Sequence, residues 1–477
     1  MDQVPLDRAG SDLPDIGSPA EAALPRSDEY QIGLMIMKQL RDQGQVLEDP
    51  ESSEYVQSLG ARIASQAEDN GQPFHYFIVK DPAINAFALP GGFIGVNSGT
   101  ILASTNESQL ASVLAHETAH VAQRHIARTI RAQSRQGLAQ AAAILAAILV
   151  GAAAGGSGDV MQGAIAVAQG TAIQQQINFT RANEYEADRV GISYLAAAGF
   201  DPQGMADIFE AFGLREGLSE RRVPEFFQTH PVTSNRIAEA RNRAAHFGQV
   251  HHTDSVSYAL VRERLRVMTA PTDADERPYY AAHHDRVGGL SLGERYGEAL
   301  ALLHAGDATR AVPALDELVA THPGITMLHG SLGEAQMATG QTDAALATFA
   351  RAMVLFPRNV PLAVRYADVL MRLDRAKQAH LLLLDVFNNE APTPEQIRLT
   401  ARAASAAGDA GDAYYYMSEY HIDNGELPAA SQQLELALAS PNLTTVQRER
   451  FRARLKEIRD VLAEQRQRNR GQGGATS

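Results

Sequence analysis

Apolar positions along this chain switch period several times, and the switches outline its elements. Ile32, Met35, Ile36 and Leu40 share one helical stripe. Tyr55, Leu59 and Ile63 form a second, opened by Asp49-Pro50 as N-cap and first-turn pair. Strand-like runs follow at 74–79, 85–89 and 93–96. The last two are joined by Leu89-Pro90-Gly91-Gly92, where Pro before Gly suits a type II turn. Helical spacing returns with Val113, Leu114, Ala115, Ala119 and Val121, which predict a mostly buried helix, and Ser104-x-x-Glu107 predicts a capping box at its start. Residues 141–155 carry no charge, and 160–172 are only weakly polar. Each stretch is shorter than the roughly 20 apolar residues a membrane span needs. Residues 138–172 therefore read as a helical hairpin, with peripheral membrane contact as the sharper alternative. Val190, Ile192 and Leu195 mark a helix ending near Gly199. Asp201-Pro202 caps another, carrying Met205, Ile208 and Phe212.

The C-terminal half repeats itself. Gly306, Gly340 and Gly408 fall on a period of about 34 residues, with Asp374 at the missing step. Ala311, Ala345, Ala379 and Ala413 keep that period, as do Pro323 and Pro357. This is the tetratricopeptide (TPR) pattern of two helices per unit, an array that binds protein segments in a concave groove. Gly425 and Pro441 suggest a shifted final unit, and residues 444–468 a polar, Arg-rich capping helix.

Composition narrows the classes. A chain of 477 residues holds several domains, and 45% hydrophobic with 21% charged residues is ordinary for a soluble globular protein. A net charge of −14 argues against a general nucleic-acid binder. Cysteine is absent, so disulfides and thiolate metal sites are excluded and any metal must take His and carboxylate ligands.

The buried-helix pattern contains His116-Glu117-Thr118-Ala119-His120. On a helix the two histidines lie one turn apart on the same face and can hold one ion, with Glu117 beside them to take a proton from the attacking water. Two histidines on a buried helix need partners, because unpaired buried polar groups are costly. Catalytic zinc takes three protein ligands. The metzincin continuation is excluded, since Gln123 and Ile126 stand where Gly and His would be required. Glu184, on the later helix carrying Asn183-Glu184-Tyr185-Glu186-Ala187-Asp188, is the candidate third ligand. Asp188, one turn on, is placed to accept the second N–H of a ligand histidine. Glu186 reads as solvent-facing or paired with an arginine. His125 reads as a packing or surface residue, out of register with the ligand pair, and the doublets His251-His252 and His283-His284 read as solvated.

The order of these two motifs resembles the gluzincin zinc metallopeptidases that include HtpX and the CAAX-prenyl endopeptidases. Ile84-Asn85-Ala86-Phe87-Ala88-Leu89-Pro90-Gly91-Gly92, Gly199-Phe200-Asp201-Pro202 and Thr229-His230-Pro231 followed by Arg236 extend the resemblance over residues 30–245. With the helical array appended, the chain is similar to the periplasmic proteases of outer-membrane assembly within that family. The resemblance implies one Zn2+ per chain and places His230 and Arg236 beside it. There they would stabilise an oxyanion, or His230 would occupy the fourth metal position and hold the enzyme latent. Read alone, a histidine before proline is an ordinary turn residue. Asn85, Ala86 and Phe87 are candidates for an edge strand that pairs with extended substrate, against the alternative of an ordinary core hairpin.

The expected fold is mainly α: an α+β protease domain with a small sheet beside the zinc helix, followed by an α-solenoid. The expected organisation is a disordered arm at 1–26, a zinc metallopeptidase domain at 27–246, a connector at 247–290, TPR-like repeats at 291–468 and a tail at 469–477. The resemblance implies a periplasmic location after loss of a leader. It further implies a zinc endopeptidase acting on misassembled envelope or outer-membrane proteins, with the repeats recruiting substrate or assembly machinery. The alternative is a largely latent protease serving as chaperone or adaptor through its repeats.

Overall fold

The computed structural model of the chain describes residues 24–67, 73–132, 180–218, 230–248, 250–271 and 274–473. The stretch 138–172 lies outside them. No described helix is long and apolar enough to cross a membrane.

The first helix, α1 (Arg26–Asp42), starts where the N-terminal arm was expected to end, and Leu24 before it is already buried. Helix α2 (Pro50–Ala64) is capped by Asp49, whose side chain accepts the Ser52 N–H. Strands β1 (His75–Val79), β2 (Ala86–Ala88) and β3 (Phe93–Asn97) form one sheet in the order β1-β3-β2. β3 runs parallel to β1 and antiparallel to β2, with Phe77 opposite Gly95 on one side and Phe87 opposite the same glycine on the other. The turn between β2 and β3 holds Gly91 at φ 80, ψ 12, the torsions a type II turn requires at its third position. The strands are almost wholly buried because both sheet faces are covered. Ile32, Met37 and Leu40 of α1 pack with Phe77 and Phe87, while Val56 and Ile63 of α2 pack with Tyr76, Ile78 and Ile94.

Helix α3 (Ser98–Ala103) leads into α4 (Glu107–Ala122). The expected capping box is corrected here. Asn106 caps α4 by accepting the Gln109 N–H, while Ser104 closes α3 and donates to the Ile101 carbonyl. Glu107 is occupied elsewhere, accepting from the Tyr55 hydroxyl and from both the amide and the hydroxyl of Ser255, which caps a later helix. Helices α5 (His125–Ala132), α6 (Arg181–Ala197), α7 (Gly204–Leu218) and α8 (Ser234–Ala245) complete the surroundings of α4.

Helix α9 (Val256–Met268) lies within the stretch expected as a connector. Tyr258, Val261 and Leu265 join a single apolar core that runs from α2 and α4 into the helical array. A short α10 (Arg277–Ala281) precedes the array proper. The array pairs α11 (Leu292–His304) with α12 (Ala308–Thr321), α13 (Thr326–Ala338) with α14 (Thr342–Leu355), α15 (Val360–Arg372) with α16 (Ala376–Phe387), and α17 (Pro394–Ala406) with α18 (Ala410–Asp423). The turn inside each pair needs a left-handed residue: Gly306, Gly340, Asp374 and Gly408 have φ of 80, 74, 58 and 86. Asp374 fills the step without glycine because a short polar side chain tolerates this region better than most. Gly425, at φ 74, makes the same kind of turn early, between α18 and α19 (Leu427–Ala439). The last helix, α20 (Thr445–Gly473), runs past the expected end of the array.

The array curls back onto the first domain. Arg41 of α1 donates to Asn424 at 3.5 Å, and Lys38 lies 3.7 Å from Glu426. On the opposite flank Arg365 of α15 reaches Asp49 at 2.6 Å.

Candidate metal centre

Three elements bring their side chains to one buried point. Helix α4 presents His116, Glu117 and His120, and α6 presents Glu184 and Asp188. The turn before α8 presents His230, with Arg236 in the first turn of α8. None of these seven is more than 8% exposed. α6 can lie directly on α4 because Gly191 has no side chain. A Cβ there would stand 3.1 Å from the Ala115 backbone.

One ligand atom each from His116, His120, Glu184 and His230 lies within 4.8 Å of the others. The His116 and His120 Nε2 atoms are 3.0 Å apart, and His116 Nε2 is 3.3 Å from His230 Nδ1. Glu184 stands 3.4 Å from His120, 3.5 Å from His116 and 3.1 Å from His230. Tetrahedral coordination at zinc–nitrogen distances sets ligand–ligand edges of about 3.3 Å. The donor set is the His and carboxylate chemistry that zinc accepts, and its spacing fits.

Charges around this point are strongly coupled. Burial opposes a charged Glu184, but the facing His230, His116 and His120 hold it well below the usual carboxylate range. Burial likewise opposes protonation of His116, and Asp188 and Glu184 overcome it, pushing it up to about 10. Burial drives His120 well below its ordinary value. Glu117 is raised by burial, partly offset by His230 and His116, and by the Ala88 N–H of β2. A carboxylate with raised proton affinity beside a metal position suits a general base.

The remaining sequence candidates fall in distinct places. Asp188 lies 3.0 Å from His116 Nδ1. Arg236 grips Asp188 with two hydrogen bonds of 2.7 Å, donates to the Pro231 carbonyl at 2.9 Å and lies 2.9 Å from Glu184. Its guanidinium thus holds two acidic partners and the His230 turn. β2 is an edge of the sheet and packs against α4. On it Ala86 and Phe87 are buried. Asn85 just before is fixed through its backbone, accepting from Thr100 Oγ1 at 2.7 Å and from Asn97 N–H at 2.9 Å.

Of the two readings of His125 the structure takes packing: it is fully buried, with Nδ1 3.0 Å from His120 Nδ1 and not on the surface. It reaches His120 although out of helical register because the helix does not continue. Arg124, at φ 52, breaks it and folds His125 back. One expectation changes: His252 is not solvated, since its Nε2 lies 2.8 Å from Glu107 and its ring sits 4.6 Å from that of Phe200. Glu186 pairs with Arg128 at 3.0 Å, as one expectation had it, and also reaches His125 at 3.3 Å.

Fold and site together define a metallopeptidase of the HExxH class carrying a TPR-like helical array. The profile of "Peptidase family M48" matches residues 50–244. The chain is 31% identical to the "Beta-barrel assembly-enhancing protease" of Yersinia pestis over 94% of its own length and 91% of that protein's. The Escherichia coli protein of the same name matches at 31% identity with the same coverage. A Vibrio cholerae "Putative beta-barrel assembly-enhancing protease" is 38% identical over 65% of this chain and 64% of its own length. The chain belongs to peptidase family M48.

Proposed function

We propose that this protein is a zinc-dependent endopeptidase of the bacterial envelope, held latent by His230. The carrying observation is the fourfold convergence of His116, His120, Glu184 and His230, with Glu117 alongside. When bound, the ion supplies Lewis acidity and a water activated for attack on a peptide carbonyl. Glu117, beside that site, would take the proton of the attacking water and pass it to the leaving amine. Asp188 fixes the His116 tautomer, and Arg236 fixes Asp188. β2, at the sheet edge beside Glu117, offers main-chain pairing to an extended substrate, with Asn85, Ala86 and Phe87 at that edge.

Latency rests on His230. Its Nδ1 lies 3.3 Å from His116 Nε2 and 3.1 Å from Glu184, where it would take the fourth position around an ion, and its Nε2 lies 3.6 Å from the Glu117 carboxylate. Water and substrate would need that position, so His230 would have to leave it before turnover. The name shared by these relatives supports β-barrel assembly as the process served; misassembled outer-membrane proteins as substrates and the periplasm as the compartment extend that reading. The helical array is assigned to recruiting these substrates or the assembly machinery. The closed site favours a second, compatible reading in which much of the protein's work is done by the array while the protease stays shut.

Replacing His230 by Ala separates the roles. Faster cleavage of an unfolded casein-type substrate supports a plug; cleavage slower than wild type overturns it in favour of a transition-state contact.

A further inference from the structure

Two histidines on α4 face the metal position through Nε2, and each must then carry its proton on Nδ1, because a neutral imidazole ligates through its bare nitrogen. For His116 that N–H meets Asp188. For His120 it meets His125, an imidazole that the catalytic reading does not use. The Nδ1···Nδ1 separation is 3.0 Å. One nitrogen of such a pair must donate and the other accept. If His120 donates, the proton of neutral His125 sits on Nε2, which lies 3.3 Å from Glu186 Oε2. Arg128 holds Glu186 from outside, at 3.0 and 3.1 Å.

We propose that His125 is a positioning residue for the metal ligand His120, forming with Glu186 and Arg128 a second orienting arm. This rests on the zinc-centre reading above. The two arms are parallel in design, since each ends in a carboxylate from α6 gripped by an arginine. They differ by one inserted imidazole. That spacer transmits orientation and tautomer while keeping the Glu186 charge away from a pocket that already holds Glu117, Glu184 and Asp188. The arm exists because Arg124 ends α4 in a left-handed turn, which returns the next residue to the face of His120.

The test uses the full chain. Zinc affinity is measured by competition with a chromophoric chelator for wild type, His125→Leu, His125→Asn and Glu186→Ala. Outer partners of metal-bound histidines typically contribute 10–100-fold in affinity. His125→Leu should therefore weaken zinc binding by about 10-fold or more. His125→Asn puts an amide oxygen where Nδ1 stood and should restore most of the loss, which a mere packing role would not do. Glu186→Ala should weaken binding in the same direction as the Leu variant. The tautomers are read from histidine-labelled wild type with zinc bound, by long-range proton–nitrogen correlation, so the outcome does not depend on a variant folding. His125 with its proton on Nε2 supports the arm; a proton on its Nδ1 overturns it, as does unaltered affinity in His125→Leu. Wild type that takes up no zinc would instead sink the metal-centre reading itself.

Discussion

Glu117 and Asp188 are both buried carboxylates within reach of a metal ligand, yet their surroundings give them opposite work. Burial raises the proton affinity of Glu117, partly offset by His230 and His116, as the proposed base requires. Asp188 is held below its ordinary range by Arg236 and His116 against the penalty of burial, so it stays an anion and an acceptor. Glu117→Gln should therefore reduce kcat by about 10²–10⁴-fold, the usual contribution of general acid–base catalysis. Zinc should remain bound; metal analysis together with a peptidase assay checks both halves. Asp188→Asn should act on affinity, weakening zinc by about 10-fold or more in a chelator competition.

At the scale of elements, the site depends on how closely two helices approach. α6 meets α4 at Gly191, where an added Cβ would press on the Ala115 carbonyl and the His116 amide at 3.1–3.2 Å. Backbone cannot yield as a side chain can. Gly191→Val should push the Glu184 helix outward and cost about 1–3 kcal/mol of stability, the usual range for overpacking. It should also weaken zinc binding. Thermal unfolding of the metal-free protein isolates the first effect, and chelator competition shows the second. The turns of the array follow a different logic. They were legible because left-handed residues recur where helices reverse, a requirement of local backbone sterics that glycine and Asp374 satisfy.

The whole molecule is joined by a buried charge cluster. Asp49, the cap of α2, accepts two hydrogen bonds from Arg264 of α9, at 2.6 and 2.8 Å, and one from Arg365 of α15. Arg365 also binds Glu51 and Glu334, and Arg264 donates to Tyr296 of α11 at 2.9 Å. Protease domain, linking helix and array thus share one network. Breaking a buried pair by removing one partner costs about 3–5 kcal/mol, because the other charge is left unpaired. Asp49→Asn should cost that much near neutrality, read from denaturant unfolding. Burial raises the Asp49 pKa, but Arg264 and Arg365 lower it further, leaving it well below the usual carboxylate range. The sign follows: a depressed carboxyl gives stability that is full above its unfolded value of about 3.9 and is lost as pH falls toward the folded one. The gap between Asp49→Asn and wild type should therefore be constant near neutral pH and narrow only under strong acid.

Local rules settled much of this protein in advance. A one-turn spacing places His116 and His120 together on any helix, Glu184 and Asp188 obey the same rule, and the period of the array is carried by small residues and turn positions. These depend only on neighbours along the chain, so the amino-acid order was enough to read them. Tertiary structure decided the rest: that His230 joins His116, His120 and Glu184, that Arg236 grips Asp188, that His125 lies against His120, and that Asp49 is held by Arg264 and Arg365. Each joins groups from elements far apart in sequence, and no periodicity encodes such meetings. They arise where buried charges and imidazoles must find partners once the helices have packed, and a single left-handed residue at Arg124 was enough to bring His125 against His120.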